Sequence, residues 1–199
     1  MENFNLNAAP DPQIPELKDG KGSWKRFLID IIETLVLSVV LFLIINAISA
    51  RIRIESVSMQ PTLYEGDFVV VNRLAYKFGA PSRGDVIVFR YPPDPQSEPY
   101  IKRIIGLPGE TIKIEHGQVF VNDVEIREPY LKASPRYQGT WIVPQDALFV
   151  LGDNRNNSSD SHSWGMVPLV NVIGKAEVVY LPISHWQVLT PNFAAAATP

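Results

Sequence analysis

The sequence predicts a mainly β protein, in which a compact antiparallel β domain follows one N-terminal transmembrane helix. A long apolar run near the N-terminus predicts the helix, and short β-type runs separated by turn residues predict the sheet. Seventeen prolines and twelve glycines occur among the 199 residues, which favours many turns over a helical bundle. Strands that follow one another without helical periodicity between them indicate antiparallel pairing.

The apolar run extends from Phe27 to Ile48 and is almost entirely aliphatic. A helix of this length rises about 33 Å, close to the thickness of the hydrocarbon core of a bilayer. Its only charged residues, Asp30 and Glu33, lie near one end. A buried core helix would carry a polar stripe, and a cleavable signal peptide would have a shorter apolar core. We therefore predict an uncleaved transmembrane helix over residues 27–49.

Basic residues flanking the helix predict its orientation. Four precede it (Lys18, Lys21, Lys25 and Arg26), and two follow it closely (Arg51 and Arg53). Because positively charged flanks stay inside, we expect a cytoplasmic polar tail over residues 1–26 and a single-pass protein of the cell membrane. The β-rich domain, residues 50–190, would then face the exported side, and residues 191–199 would form a frayed tail.

The β-type runs of that domain share a high content of valine, isoleucine and phenylalanine. They are Phe68–Val71, Asp85–Phe89, Thr111–Ile114, Gln118–Val121, Ala147–Leu151 and Ala176–Tyr180. The formal net charge of −3 and the absence of any basic run argue against a nucleic-acid partner. The chain has no cysteine, which excludes disulfides and thiolate chemistry. No His or carboxylate spacing matches a metal site, so we expect neither metal nor cofactor.

Three segments carry more polar groups than a structural β domain needs. Ser56–Leu63 contains Ser58 three residues before Pro61. Tyr100–Glu110 contains adjacent Lys and Arg, and Gly152–Gly165 has one apolar side chain, Trp164. Each segment also has an ordinary interpretation. The first could be a turn, the second an edge strand with a lysine that guards against aggregation, and the third a solvated loop.

Lys102 gives these segments a common chemistry. A serine nucleophile needs a base, and the chain offers three histidines (His116, His162 and His185) or a lysine. Burial against apolar neighbours disfavours an ammonium ion, so the pKa of such a lysine falls and its neutral amine can accept a proton. A Ser-Lys pair is a known variant of the catalytic triad.

The three segments, in this order behind an apolar helix, resemble the bacterial type I signal peptidases, which are Ser-Lys dyad serine proteases. SVSMQPTL resembles the nucleophile motif, RGDVIVFRYP a core strand, YIKRIIGLPGE the general-base motif, and GDNRNNSSDSHSWGMVP the adjacent loop. The resemblance covers Arg51 to about Pro182. It implies the signal peptidase fold and an endopeptidase that removes N-terminal signal peptides from exported preproteins after small residues of the Ala-x-Ala type.

The resemblance also implies a role for each matching residue. Ser58 would be the nucleophile and Lys102 the general base. The Ser56 hydroxyl and the Ser58 backbone N–H would form the oxyanion hole, and Ser158 would orient the lysine by a hydrogen bond. Structural carboxylates would be Asp153, paired with Arg103, and Asp160. The remaining matches would bind substrate: Ile54, Met59, Leu63, Tyr100 and Ile101.

Two positions depart from the family pattern. Asn156 stands where an acidic residue is common and His162 where arginine is common, so the ion pairs of this loop would be weaker or pH-sensitive. We expect His162 to be a structural partner of Asp160 rather than the base. The expected partners are preprotein signal peptides, the lipid bilayer and, functionally, the export translocon. Alternatives are a self-cleaving Ser-Lys repressor, which the helix and the acidic balance disfavour, and an inactive membrane-tethered β binding module.

Overall fold

A computed structural model of the chain describes residues 21–191 and 194–195. Helix α1 spans Lys21–Ile48, and its segment Trp24–Ile48 has a mean hydropathy of 2.7, long and apolar enough to cross a membrane. The helix begins before the predicted Phe27, and residues 21–26 include no proline that would interrupt it. The hydroxyls of Thr34 and Ser38 donate to helix carbonyl oxygens four residues back, so they present little unsatisfied polarity. Residues 1–20 of the predicted tail lie outside the described residues.

The rest of the described chain is dominated by short strands. They are β1 (Ser49–Arg53), β2 (Phe68–Asn72), β3 (Val86–Phe89), β4 (Tyr100–Gly106), β5 (Thr111–Glu115), β6 (Gln118–Val121), β7 (Val124–Arg127), β8 (Gly139–Ile142), β9 (Ala147–Leu151), β10 (Val167–Pro168), β11 (Val172–Leu181), β12 (Gln187–Val188) and β13 (Ala194–Ala195). Helices α2 (Ala75–Phe78) and α3 (Ser161–Trp164) and two 3₁₀ turns, Leu169–Asn171 and Ile183–His185, connect them.

The strands form two antiparallel sheets. The larger has the order β1-β2-β11-β3-β4-β9-β10, with β12 also on β11, and the smaller has the order β13-β7-β6-β5-β8. The predicted mainly β, antiparallel fold is confirmed, and each predicted run coincides with a strand except at Asp85, which precedes β3. Within the predicted frayed tail, Ala194 and Ala195 pair with Arg127 and Ile126 of β7. Residues 192–193 and 196–199 lie outside the described residues.

Strand β4 connects the three apolar clusters of the domain. Ile101 belongs to the first cluster, Ile105 to the second and Ile104 to the third. On one side, β4 pairs with β3 from Tyr100 to Arg103, and on the other it pairs with β9 from Arg103 onward. Contacts with the core therefore hold β4 in place. Within the described chain, the part of β4 from Tyr100 to Lys102 pairs with β3 on one edge and has no strand on its other edge.

Candidate active site

Ser58 and Lys102 are in direct contact. The Lys102 Nζ lies 2.7 Å from the Ser58 Oγ and also donates to the carbonyl oxygen of Ile101 at 2.9 Å. The two side chains come from positions 44 residues apart in the sequence. Lys102 is only 4% exposed. The alternative of a lysine guarding a solvated strand edge is therefore wrong, because such a lysine would extend into water.

Burial alters the acid–base chemistry of this lysine. Desolvation lowers the pKa of Lys102 from 10.5 to about 8, although the carboxylates of Asp160 and Asp153 act in the opposite direction. The ring of Tyr100 lies 5.3 Å from the ammonium nitrogen and also favours the charged form. A substantial fraction of neutral amine is consequently present at mildly alkaline pH.

A tight turn places Ser58 at the surface of the core. The backbone N–H of Leu63 donates to the Met59 carbonyl at 3.0 Å, which folds Met59 and Leu63 inward. Both side chains are fully buried in the first apolar cluster. Both were predicted to bind substrate, and in the structure they lie in this cluster beneath Ser58. They anchor the nucleophile segment instead.

Two further donors lie beside the Ser58 hydroxyl. The Ser56 Oγ is 3.1 Å from the Ser58 Oγ, and the Ser56 side chain is solvent-exposed. No described residue accepts a hydrogen bond from the backbone N–H of Ser58. A hydroxyl and a free N–H next to a nucleophile have the chemistry of an oxyanion hole.

Ser158 differs from the expectation. Its Oγ is buried and has no hydrogen-bond partner among the described residues, whereas Lys102 donates to Ser58 and Ile101. The expected hydrogen bond from Ser158 to the lysine is therefore not formed. Ser158 nevertheless lies beside the nucleophile, because a Cβ atom added at Gly152 would collide with both its Oγ and the Ser58 carbonyl oxygen. Gly152 thus permits the close approach of these two segments.

Asn154 attaches the loop after β9 to the nucleophile segment. Its backbone N–H donates to the Ser58 carbonyl at 2.9 Å, and its side-chain amide donates to the Val57 carbonyl at 3.1 Å. The sequence analysis did not single out Asn154. The only signal was its place in the polar loop, since asparagine is common in any turn.

A buried ion pair fixes the base strand to the same loop. Arg103 binds Asp153 with two nitrogens, at 2.9 and 2.7 Å, and both side chains are at most 3% exposed. The Thr62 hydroxyl donates to the same carboxylate, which links the turn after Ser58 to the pair. The expected partnership of Arg103 and Asp153 is present in the geometry, whereas Thr62 was not anticipated.

A second buried ion pair lies at the base of the loop. Arg155 donates through two nitrogens to Glu128, and its guanidinium is fully buried. The Tyr130 hydroxyl also donates to Glu128, and the ring of Tyr130 packs against Arg103 at 4.1 Å. The sequence analysis missed this pair, because Glu128 lies in a segment without any motif.

Asp160 organises the other end of the loop. Its carboxylate accepts the backbone N–H of Gly152 at 2.9 Å and lies 2.6 Å from the Nδ1 of His162. The His162 ring stacks on Tyr137, with centroids 3.9 Å apart. In the described chain His162 thus contacts Asp160 and Tyr137, while the hydroxyl of Ser58 is bonded by Lys102 and Ser56.

An open cleft of about 860 Å³ runs past Ser58 and Lys102. Its apolar side chains include Ile54 and Ile101, as expected, together with Ile52 and Val88, which sequence reasoning missed. Tyr100 also lines it. Among the described residues, no group of three His, Asp or Glu side chains is placed to hold a metal ion.

The sequence is similar to those of several known proteins. The family described as "Signal peptidase, peptidase S26" matches residues 28–181. A signal peptidase I of Leptolyngbya laminosa is 43% identical over 92% of this chain and 95% of its own length. A probable signal peptidase I-1 of Synechocystis is 40% identical over 87% and 93%, respectively. A crystal structure of a signal peptidase I from Enterococcus faecalis aligns with a TM-score of 0.45 and 32% identity, covering 49% of this chain and 97% of its own.

These sequence similarities show that the chain is a serine endopeptidase. It belongs to the signal peptidase family, peptidase S26, whose activity is the cleavage of signal peptides. The alternatives of a repressor and of an inactive binding module are therefore wrong.

Proposed function

We propose that this chain is a membrane-tethered signal peptidase that cuts preproteins after small residues of the Ala-x-Ala type, with Ser58 and Lys102 as a catalytic dyad. The observation that carries the proposal is the 2.7 Å hydrogen bond between the Lys102 Nζ and the Ser58 Oγ in a buried site. A lysine in this position needs no histidine to activate the serine, since burial already lowers its pKa to about 8.

In the acylation step, Ser58 Oγ attacks the carbonyl carbon of the scissile bond and neutral Lys102 accepts the hydroxyl proton. The Ser56 hydroxyl and the Ser58 N–H donate to the oxyanion that forms. When the C–N bond breaks, the lysine returns the proton to the leaving amine, which is the new N-terminus of the mature protein. The signal peptide remains attached to Ser58 as an ester.

Water completes the cycle by the same route in reverse. Neutral Lys102 removes a proton from a water molecule, which attacks the ester carbonyl, and the proton then returns to Ser58 Oγ. The products are the free carboxylate of the signal peptide and the regenerated dyad. Neither metal nor cofactor takes part in these steps.

The substrate would bind as an extended strand. The segment from Tyr100 to Lys102 has a neighbouring strand on one side only within the described chain, so its other edge can pair with a peptide backbone. Ile54 and Ile101 line the cleft, and we expect the pockets that they border to be shallow. Shallow apolar pockets accept alanine and exclude bulky side chains, which gives the preference for small residues.

Helix α1 would provide the membrane anchor. Its apolar segment Trp24–Ile48 has the length and hydropathy for a single span, and the basic residues before it favour a cytoplasmic N-terminus. The catalytic domain would then face the exported side, where preproteins emerge from the translocon. We infer a functional link to that translocon because signal peptides are cleaved after export begins, and not from any binding surface on this chain.

The test is cleavage of a purified preprotein by detergent-solubilised full-length chains. We expect Ser58→Ala, Lys102→Ala and the double variant each to lose nearly all activity, because nucleophile and base act as one unit and their losses are not additive. Lys113→Ala is the matched control, since the Lys113 side chain is 41% exposed and forms an ion pair with Glu115. Folded Lys102→Ala protein that keeps wild-type turnover would contradict the dyad.

A further inference from the structure

The cleft beside the dyad is lined by two unlike sets of residues. One set comes from the segments 51–57 and 98–101, both of which run toward the dyad, and carries the apolar side chains of Ile52, Ile54 and Ile101. The other set is Asn157 and Ser159, from the loop after β9. The apolar side chains named here thus come from the segments that lead into Ser58 and Lys102, whereas the loop after β9 contributes an amide and a hydroxyl.

The loop presents these two polar side chains in a fixed arrangement. Asn157 and Ser159 are exposed, while Ser158 between them is turned inward with its Oγ buried against the nucleophile segment. Asn154 ties one end of this segment to Ser58, and Asp160 ties the other end to Gly152. Asn157 and Ser159 therefore line the cleft that contains Ser58, on a loop segment that is held at both ends.

The polar groups of these two side chains are also available. Neither the Asn157 amide nor the Ser159 hydroxyl forms a side-chain hydrogen bond with any residue in the described part of the chain. Their neighbours in the loop differ in this respect, because Asn154 and Asn156 both use their amides to bind backbone groups. Asn157 and Ser159 therefore differ from the other polar residues of this loop, because they line the cleft with unused donors and acceptors.

We propose that Asn157 and Ser159 form the subsite for the first residues of the mature protein, on the leaving-group side of the scissile bond. This inference rests on the proposed function, which assigns the apolar side of the cleft to the signal peptide. Mature proteins begin with many different residues, so their recognition must use what they share, the backbone N–H and C=O groups. An amide, which donates and accepts, and a hydroxyl, which does both, suit an extended backbone of any sequence.

The experiment compares two peptide substrates with the same signal-peptide portion. In the truncated substrate, a small aromatic amine replaces the mature protein as the leaving group at the scissile amide bond. In the extended substrate, several residues of the mature protein follow that bond. For each full-length variant, the ratio of kcat/KM for the extended substrate to kcat/KM for the truncated one is measured. We expect the ratio to fall about tenfold in the double variant Asn157→Ala/Ser159→Ala, because hydrogen bonds to the leaving group are lost.

Asn156→Ala is the matched control, since Asn156 is an exposed asparagine of the same loop that binds Ser134 and Arg136 instead of lining the cleft. It should keep the wild-type ratio. An unchanged ratio in the double variant, including equal losses on both substrates, would overturn the subsite while leaving the dyad intact. If the wild type cuts neither substrate, the proposed function fails and the subsite fails with it.

Discussion

Asn154 donates its backbone N–H to the carbonyl oxygen of Ser58 at 2.9 Å, so the loop after β9 directly holds the residue proposed as nucleophile. The side chain of the same asparagine donates to Val57, the preceding residue. Two consecutive carbonyl groups are thereby fixed, and with them the direction in which the Ser58 hydroxyl points.

Asn154→Ala should lower kcat more than it lowers stability. The substitution removes the donor to the Val57 carbonyl, which costs about 1 kcal/mol of unfolding free energy, but it keeps the backbone hydrogen bond to Ser58. Small rotations of the nucleophile cost far more in rate than in stability, so we expect a fall of about tenfold or more in kcat. Preprotein cleavage and urea unfolding measure the two effects.

The comparison for that variant is Asn156→Ala, which also loses backbone hydrogen bonds but at Ser134 and Arg136. It should show a similar loss of stability with wild-type kcat. If both variants lose activity in proportion to stability, Asn154 has no positioning role.

The activity should rise with pH through the pKa of Lys102. The base acts in its neutral form, and burial lowers its pKa to about 8, so kcat/KM should increase as the pH rises through about 8 and level off above it. His162→Ala should keep the same ascending limb, because His162 is bonded to Asp160 and stacked on Tyr137. A limb near pH 6.5 that disappears in His162→Ala would transfer the role of base to the histidine.

Breaking the buried Arg103–Asp153 pair should strongly destabilise the domain. Arg103→Met leaves the Asp153 carboxylate uncompensated in the core, which costs about 3–5 kcal/mol of unfolding free energy. Lys113→Met is the control, because the Lys113–Glu115 pair is 41% and 33% exposed and should contribute less than about 1 kcal/mol. Chemical unfolding of both variants tests the difference, and equal losses would show that burial of the pair is unimportant.

The orientation of the helix predicts which part of the protein an external protease can reach. In spheroplasts of cells that express the chain, added protease should degrade the domain that follows Ile48, because the basic residues before the helix retain the N-terminus in the cytoplasm. An epitope tag at the C-terminus reports the result, and a cytoplasmic protein serves as the control for intact membranes. Protection of the tag until lysis would reverse the topology.

The sequence predicted the fold well because some strands of the large sheet are apolar on both faces. Val86–Phe89 and Ala147–Leu151 are buried along their whole length, so continuous apolar runs marked them. The missed strands are short and polar, as in β1, whose residues are SARIR. Such a strand forms because Ile52 pairs opposite Val69, a partner that local pattern does not reveal.

The candidate site was predictable only in part, for a similar reason. Motif resemblance pointed to Ser58 and Lys102 as a pair, and the structure brings them together. The resemblance could not distinguish residues of a pocket from residues of the core, since both are apolar. Met59 and Leu63, which it assigned to substrate binding, are fully buried in the structure. Glu128 was missed because its importance lies in the buried Arg155 that it neutralises, 27 residues away.

The wide separation of the site's parts along the chain has a consequence for biosynthesis. Val57 and Asn154 are 97 residues apart, and Lys102 lies between them, so the nucleophile emerges from the ribosome long before the loop that holds it. Contacts of such long range form late in folding. With Ser58 as the proposed nucleophile, a growing chain therefore carries an inactive serine, and we expect the capacity to cut proteins to arise only after the strand β9 and its loop have been made and folded.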